Sequence, residues 1–249
     1  MRAEGLFSFS ERDKYPLIFL TGVISTHLFF YKRDKYPLIF KKRGVQLEVQ
    51  EMRQVFIESA VRVVARDGME KTTTKAIASE AKLNEAYIYK CFSGKDDLLS
   101  AAFHMEDVNF VDLLQKTLPV MHTPGLSWEE RLYILWKKSW SFILEKPDDC
   151  IFYIRYYYSA SCRAHAYETH LACYQPLIER AGKCFKPGTS ATYMEMLVHQ
   201  VFSTMLFFAA RVLNGEMENS EETTAWVFEQ TYSFVVPNVK AEILEEEEK

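Results

Sequence analysis

In this 249-residue chain the side chains best suited to bond-making chemistry are two cysteines and two histidines, Cys162-x-x-His165 and His170-x-x-Cys173. Thiolates and imidazoles in such clusters can ligate zinc. On one continuous helix, however, Cys162 and Cys173 would lie about 16 Å apart at ~1.5 Å per residue, too far for a single ion to reach all four. The chain also lacks G-x-S-x-G, G-x-x-x-x-G-K, G-x-G-x-x-G and H-E-x-x-H. The motifs of acyl transfer, phosphate cradling and zinc proteolysis are therefore missing, and the reading is of a non-enzyme with neither metal nor cofactor. The 5 cysteines are odd in number and form no C-x-x-C pair, which points to a reducing compartment, the cytoplasm.

The elements that would position any site are helical. Gly (9) and Pro (8) are too sparse to supply the turns of an all-β fold. Charged residues at 26% and a mean hydropathy of -0.17 exclude a disordered chain and a multi-span membrane protein, leaving a soluble globule. Residues 1–40 carry 6 basic and 4 acidic side chains, residues 41–104 carry 11 and 9, and residues 105–249 carry 13 and 21. A mildly basic front before an acidic remainder permits nucleic-acid contact by the front alone.

Residues 1–45 form an atypical extension. Arg12 to Phe19 recurs letter for letter as Arg33 to Phe40, and two copies do not make a solenoid. The apolar run Leu17 to Tyr31 between them is shorter than the ~20 residues a spanning helix needs and is interrupted by Thr21, Ser25, Thr26 and His27. A membrane tether through residues 17–31 is the alternative reading, and the extension is expected to be dispensable for folding.

From residue 46 the period is that of helices. Val55, Phe56, Ala60, Val63 and Val64 share one face of a helix stopped by Gly68. Thr73 is placed to cap a short second helix carrying Ile77, Ala78 and Ala81, and Lys82-Leu-Asn84 joins it to a third from Glu85 to about Cys91. Two short helices across a tight turn form a helix-turn-helix. Six further helices follow, over about 95–118, 127–146, 148–161, 164–185 with a kink at Pro176, 190–214 and 220–236. The fold class is all-α, with a helix-turn-helix domain over 46–100, a helical domain over 101–240 and an acidic tail over 241–249.

Phe56-Ile-Glu-Ser-Ala60, Gly68, Thr72-Thr73, Ile77-Ala78, Ala81, Leu83-Asn84, Ile88-Tyr89, Phe92, Lys95 and Leu98-Leu99 resemble the N-terminal domain of the TetR/AcrR family of bacterial repressors, over about residues 47–100. Four positions depart from the family pattern. Lys82 stands where the turn usually has Gly, Ala86 precedes the hydroxyl position, Tyr87 replaces a common Thr, and Cys91 replaces His or another polar residue. If the turn needs φ > 0, Lys82 must tolerate strain. The resemblance implies that a DNA duplex is held through phosphate by Thr73, Tyr89, Lys90 and Lys95, and that base edges meet Asn84, Glu85, Ala86 and Tyr87. Glu85 could accept from cytosine or merely face solvent.

Nine aromatics fall within the 26 residues from Tyr133 to Tyr158. Such a stripe ordinarily packs a core. The resemblance implies instead a ligand cavity, for which Trp136, Trp140, Tyr153, Tyr156, Tyr157, Phe202 and Met205 are the candidates and a small aromatic or apolar effector the expected partner. Arg155 is a candidate partner for an anionic ligand or a salt bridge. Met194, Leu197, Val198, Val201, Phe202, Met205, Phe208, Ala209 and Val212 keep a 3.6 period. By the resemblance, that helix and the one at 220–236 form a homodimer interface. Glu195, His199, Gln200 and Arg211 argue against its being a membrane span. The whole implies a one-component repressor on a palindromic operator, the further alternative being a helical interaction adaptor that does not bind DNA.

Overall fold

The computed structural model describes residues 40–42, 45–47 and 49–245. The apolar run Leu17 to Tyr31, both repeats ahead of Phe40 and residues 246–249 of the acidic tail lie outside the described residues. The chain divides into two units between Glu51 and Met52. In the first, β1 (Phe40–Lys42) and β2 (Val45–Leu47) pair antiparallel, with Phe40 opposite Leu47 and Lys42 opposite Val45. The sequence reading has no strand at that place.

The second unit is helical, and the chain's fold is all-α with an N-terminal helix-turn-helix. Helix α1 (Val49–Asp67) buries Met52, Phe56, Ala60, Val63 and Val64, while Val55 is only half-buried because Met52 and Ser59 take the inward positions. Gly68, at φ +85°, ends it, and its N–H donates to the Val64 carbonyl at 3.0 Å. Helix α2 (Thr74–Glu80) starts at Thr73, whose hydroxyl accepts from the Ala76 N–H at 3.1 Å. Its end is a Schellman turn in which Lys82 N–H donates to Ser79 and Leu83 N–H to Ala78. Lys82 sits at φ +54°, the only non-glycine with positive φ among the described residues. The left-handed conformation expected of a glycine is thus carried by a lysine, at a cost of roughly 1 kcal/mol.

The third helix of the motif begins as a 3₁₀ turn (Glu85–Tyr87) and becomes α3 (Ile88–Cys91). The long α4 (Lys95–Thr117) gives way at Pro119 to a 3₁₀ turn, and α5 (Trp128–Glu145) opens with a Ser127–Glu130 capping box. The segment expected as two helices over 148–185 forms three: α6 (Pro147–Tyr157), α7 (Ala160–His165) and α8 (Tyr167–Gly182). Ser159 caps α7, and Ala166 leaves helical geometry at φ -129°. Cys162 and Cys173 therefore do not share a continuous helix, which corrects the geometry from which their separation was reckoned. Helices α9 (Ala191–Leu213) and α10 (Glu221–Val235) are capped by Ser190 and Ser220, and α11 (Ala241–Glu245) is one short turn.

α9 packs on α5, α6, α8 and α10, and α4 on α5 to α8. By length and composition α9 could cross a membrane. Within the chain it buries Leu197, Met205, Leu206 and Ala209 against these neighbours.

Candidate functional site

In the helix-turn-helix, the polar residues ahead of each helix are committed to backbone capping. Asn84 Oδ1 accepts from the Ala86 N–H at 2.9 Å, as Thr73 does at the start of α2. These caps hold Asn84, Ala86 and Tyr89 outward, and Tyr89 is 59% exposed. Ile88, at 0% exposure, anchors the opposite side. Lys90 is exposed, and its ammonium lies 5.2 Å from the centroid of the half-buried Tyr87 ring.

Two candidates have internal partners that the sequence does not reveal. Glu85 Oε1 accepts from the Thr74 hydroxyl at 2.5 Å, so its carboxylate ties the 3₁₀ turn back to α2. Lys95 Nζ donates to the Thr72 carbonyl at 3.2 Å, which clamps the start of α4 to the loop before α2. Arg53, not singled out from sequence, lies 4.1 Å from the Phe92 ring centroid and donates to the Cys91 carbonyl. Lys71, Lys75 and Lys82 add exposed positive charge beside Thr73 and Asn84. Lys71 and Lys75 flank a run of threonines, which was the available signal. Arg62 and Arg66 both reach Glu80, at 3.1 and 2.9 Å, joining α1 to α2 and holding the Glu80 carboxyl below its usual range.

The aromatic candidates separate into groups. Trp136 and Trp140 stack at 5.3 Å, and Trp136 meets Phe228 of α10 at 5.7 Å. Tyr153, Tyr156 and Tyr157 gather round Phe103 of α4 at 4.7, 5.1 and 6.4 Å. Met205 is 4% exposed, within the core of its own chain. Only Tyr153 and Phe202 of the seven line a cleft of about 40 Å³, with Glu106, Phe142, Lys146 and Asp149 around it. A larger, more open groove of about 460 Å³ beside α9 is lined by Tyr167, Glu195, Met196 and His199.

Sequence reasoning missed Asp107. Its Oδ1 accepts from the Tyr153 hydroxyl at 3.0 Å and lies 3.0 Å from His170 Nδ1, so His170 is paired inside the core. Among the described residues no three His, Cys, Asp or Glu side chains are placed to hold a metal. Burial also pushes the Cys162 and Cys173 thiols up to about 11, away from the thiolate form a metal needs.

Among the described residues, Arg155 pairs with no carboxylate. Its guanidinium donates to the carbonyls of Val64 and Ala65 at 2.7 and 2.9 Å, so α6 grips the last turn of α1. Met196, Phe207, Trp226 and Phe234 leave apolar surface exposed along α9 and α10, at 61, 58, 45 and 40%.

With this geometry in view, residues 56–102 match the family described as bacterial regulatory proteins, tetR family. A 58-residue stretch is 41% identical to the HTH-type nicotine-responsive transcriptional repressor HdnoR of Paenarthrobacter nicotinovorans. That stretch is 23% of this chain and 30% of the relative. The fold resembles a TetR family transcription regulator from Marinobacter aquaeolei VT8, at TM-score 0.61 and 22% identity over 73% of this chain and 94% of that one. It also resembles the transcriptional regulator FadR of Bacillus subtilis, in complex with stearoyl-CoA, at TM-score 0.56 and 18% identity over 73% and 98%.

Proposed function

We propose that the chain, whose residues 56–102 match the tetR family of bacterial regulatory proteins, is a TetR-family DNA-binding regulator, a homodimeric cytoplasmic repressor released from a palindromic operator by a small effector. The observation that carries this reading is the outward face of Asn84, Ala86 and Tyr89, held rigid by the Glu85–Thr74 and Lys95–Thr72 bonds. Asn84 and Ala86 would meet base edges in the major groove, while Thr73, Tyr89 and Lys90, with Lys71 and Lys75 beside them, would meet phosphate. In this assignment Glu85 and Lys95 position the reading face. The chain acts by binding, and no catalytic step is assigned to it.

The exposed apolar residues of α9 and α10 are the surface on which a second copy would pack, placing two reading faces about one turn of DNA apart, ~34 Å. Effector entry among the C-terminal helices would displace α6. Arg155 would carry that displacement into the last turn of α1, and the Arg62 and Arg66 bonds to Glu80 would pass it to α2. The effector then favours a half-site spacing that fits DNA poorly.

Selection from a random duplex library, followed by fluorescence anisotropy on the winning sequence, tests the reading. A palindromic sequence bound at two subunits per duplex is expected. No enriched sequence at low salt would leave the adaptor as the better account.

A further inference from the structure

The cleft between α4, the α5–α6 joint and α9 is walled by rings. Phe110 lies 5.2 Å from Phe202 and 6.1 Å from Phe142, and Tyr153 stands edge-on to Phe202 at 5.6 Å. Into this wall is set Glu106, 5% exposed; Asn109 is the side-chain hydrogen-bond donor that acts on its carboxyl, and its Oε1 has no hydrogen-bond partner among the described residues. A buried carboxyl oxygen without a donor is unfavourable, and a ligand N–H would relieve it. The nearby Lys146 does not, since its ammonium lies 5.1 Å from the Phe142 centroid and 3.6 Å from Asp149.

Resting on the reading of the C-terminal helices as an effector domain, we propose that this cleft is the subsite for the ammonium head of an amine effector. Glu106 is its counter-ion, and Phe110, Phe142 and Phe202 surround the cation. An anion would face Glu106 and Asp149 against Lys146 alone. At about 40 Å³ the space suits a small alkylammonium group, little more than the ~30 Å³ share of one water, and not a whole aromatic molecule.

Burial and the neighbouring Asp149 raise the Glu106 carboxyl to about 7, with Asp107 adding to the rise and Asn109 and Lys146 opposing it. The other titratable groups facing the cleft are Cys150 and Tyr153, with Glu58 acting on Asp149. A cation needs the ionised carboxylate, so binding expels a proton from Glu106 and weakens as pH falls below about 7.

The test titrates the full chain, at fixed ionic strength, with methylammonium, which matches the size of the space, and with its neutral counterpart methanol, by calorimetry and by thermal shift. The ammonium is expected to bind saturably, at least tenfold more tightly than the alcohol, and more tightly at pH 8 than at pH 6. Glu106→Gln should cut its affinity by roughly ten- to a hundredfold while still melting cooperatively. An equal response to both probes overturns the charge preference and leaves an effector pocket standing. No saturable response to the ammonium, with operator binding intact, removes the subsite but not the repressor reading. Should Glu106→Gln fail to fold, the wild-type preference and its pH dependence decide the matter.

Discussion

The two halves of the helical unit treat their polar side chains in different ways. In the helix-turn-helix, the buried Ser59 and Thr72 bond Arg62 and the Gly68 carbonyl, the exposed or half-buried Thr73, Thr74, Asn84, Glu85 and Lys95 each have a partner, and the core beneath them is mostly aliphatic. In the C-terminal half the core is aromatic. Among the described residues, Glu106 Oε1 and the indole nitrogens of Trp136 and Trp140 are buried there without a hydrogen-bond partner. A satisfied polar network favours one conformation, whereas unmet donors and acceptors favour whatever supplies them. On the proposed reading, the first half would hold a shape and the second would respond to a bound effector.

That contrast breaks most visibly at the dimer. Introducing charge with Phe207→Glu and Trp226→Glu, both on exposed apolar surface, should yield folded monomers whose operator affinity falls by about 10² to 10⁴, because the second half-site is no longer held at effective concentration. Sedimentation and anisotropy check both parts; a dimer of normal affinity would remove α9 and α10 from the interface. Met205 is unsuitable for this purpose, since at 4% exposure within the single chain a charge there would test folding instead.

Glu106→Gln addresses the unsatisfied half directly. The carboxyl is raised from 4.5 to about 7 in the folded chain, so the native state binds more protons than the unfolded one. The associated stability is full below about 4.5 and is lost as pH rises through 7, reaching about 3 kcal/mol by pH 8. The variant should be the more stable protein at pH 8 and should lose that pH dependence in urea titrations.

Arg155→Met removes the grip of α6 on α1. We expect about 1 kcal/mol of destabilisation, discounted because Arg155 is exposed on one side. Operator affinity should be retained while the effector no longer releases the DNA. Release at wild-type effector concentration would mean that the two halves communicate elsewhere. Within the satisfied half the expected effect is smallest: Lys82→Gly should raise stability by about 0.5 to 1 kcal/mol, by relieving the φ of +54°. An unchanged melting temperature would show that the turn stores no strain.

How much of this could be read beforehand follows from the range of each interaction. Gly68, Thr73, Ser127 and Pro119 act within four residues of themselves, so the helix ends they set are visible in the string. The breaks at Tyr158 and Ala166 carry neither glycine nor proline, and only Ser159 hinted at a new start. The partners that matter most are distant: Glu85 meets Thr74 at a separation of 11 residues and Arg155 meets Val64 at 91, with no periodic trace. Likewise a 3.6 period shows that α9 has an apolar face. It does not tell which of its apolar residues, Met205 or Phe207, that face turns into its own chain.

Lys82 has one more consequence, for ions. A duplex carries a condensed layer of counter-ions, and each ammonium brought against a phosphate releases about 0.9 of one. The exposed Lys82 sits on the turn just before Asn84. A glycine there would make the turn easier but would contribute no charge. If Lys82 lies over phosphate, the Lys82→Gly protein, while melting higher, should show a slope of log affinity against log salt that is shallower by about 1 per subunit. The strained turn would then set how sharply the repressor's occupancy responds to the ionic strength of the cell.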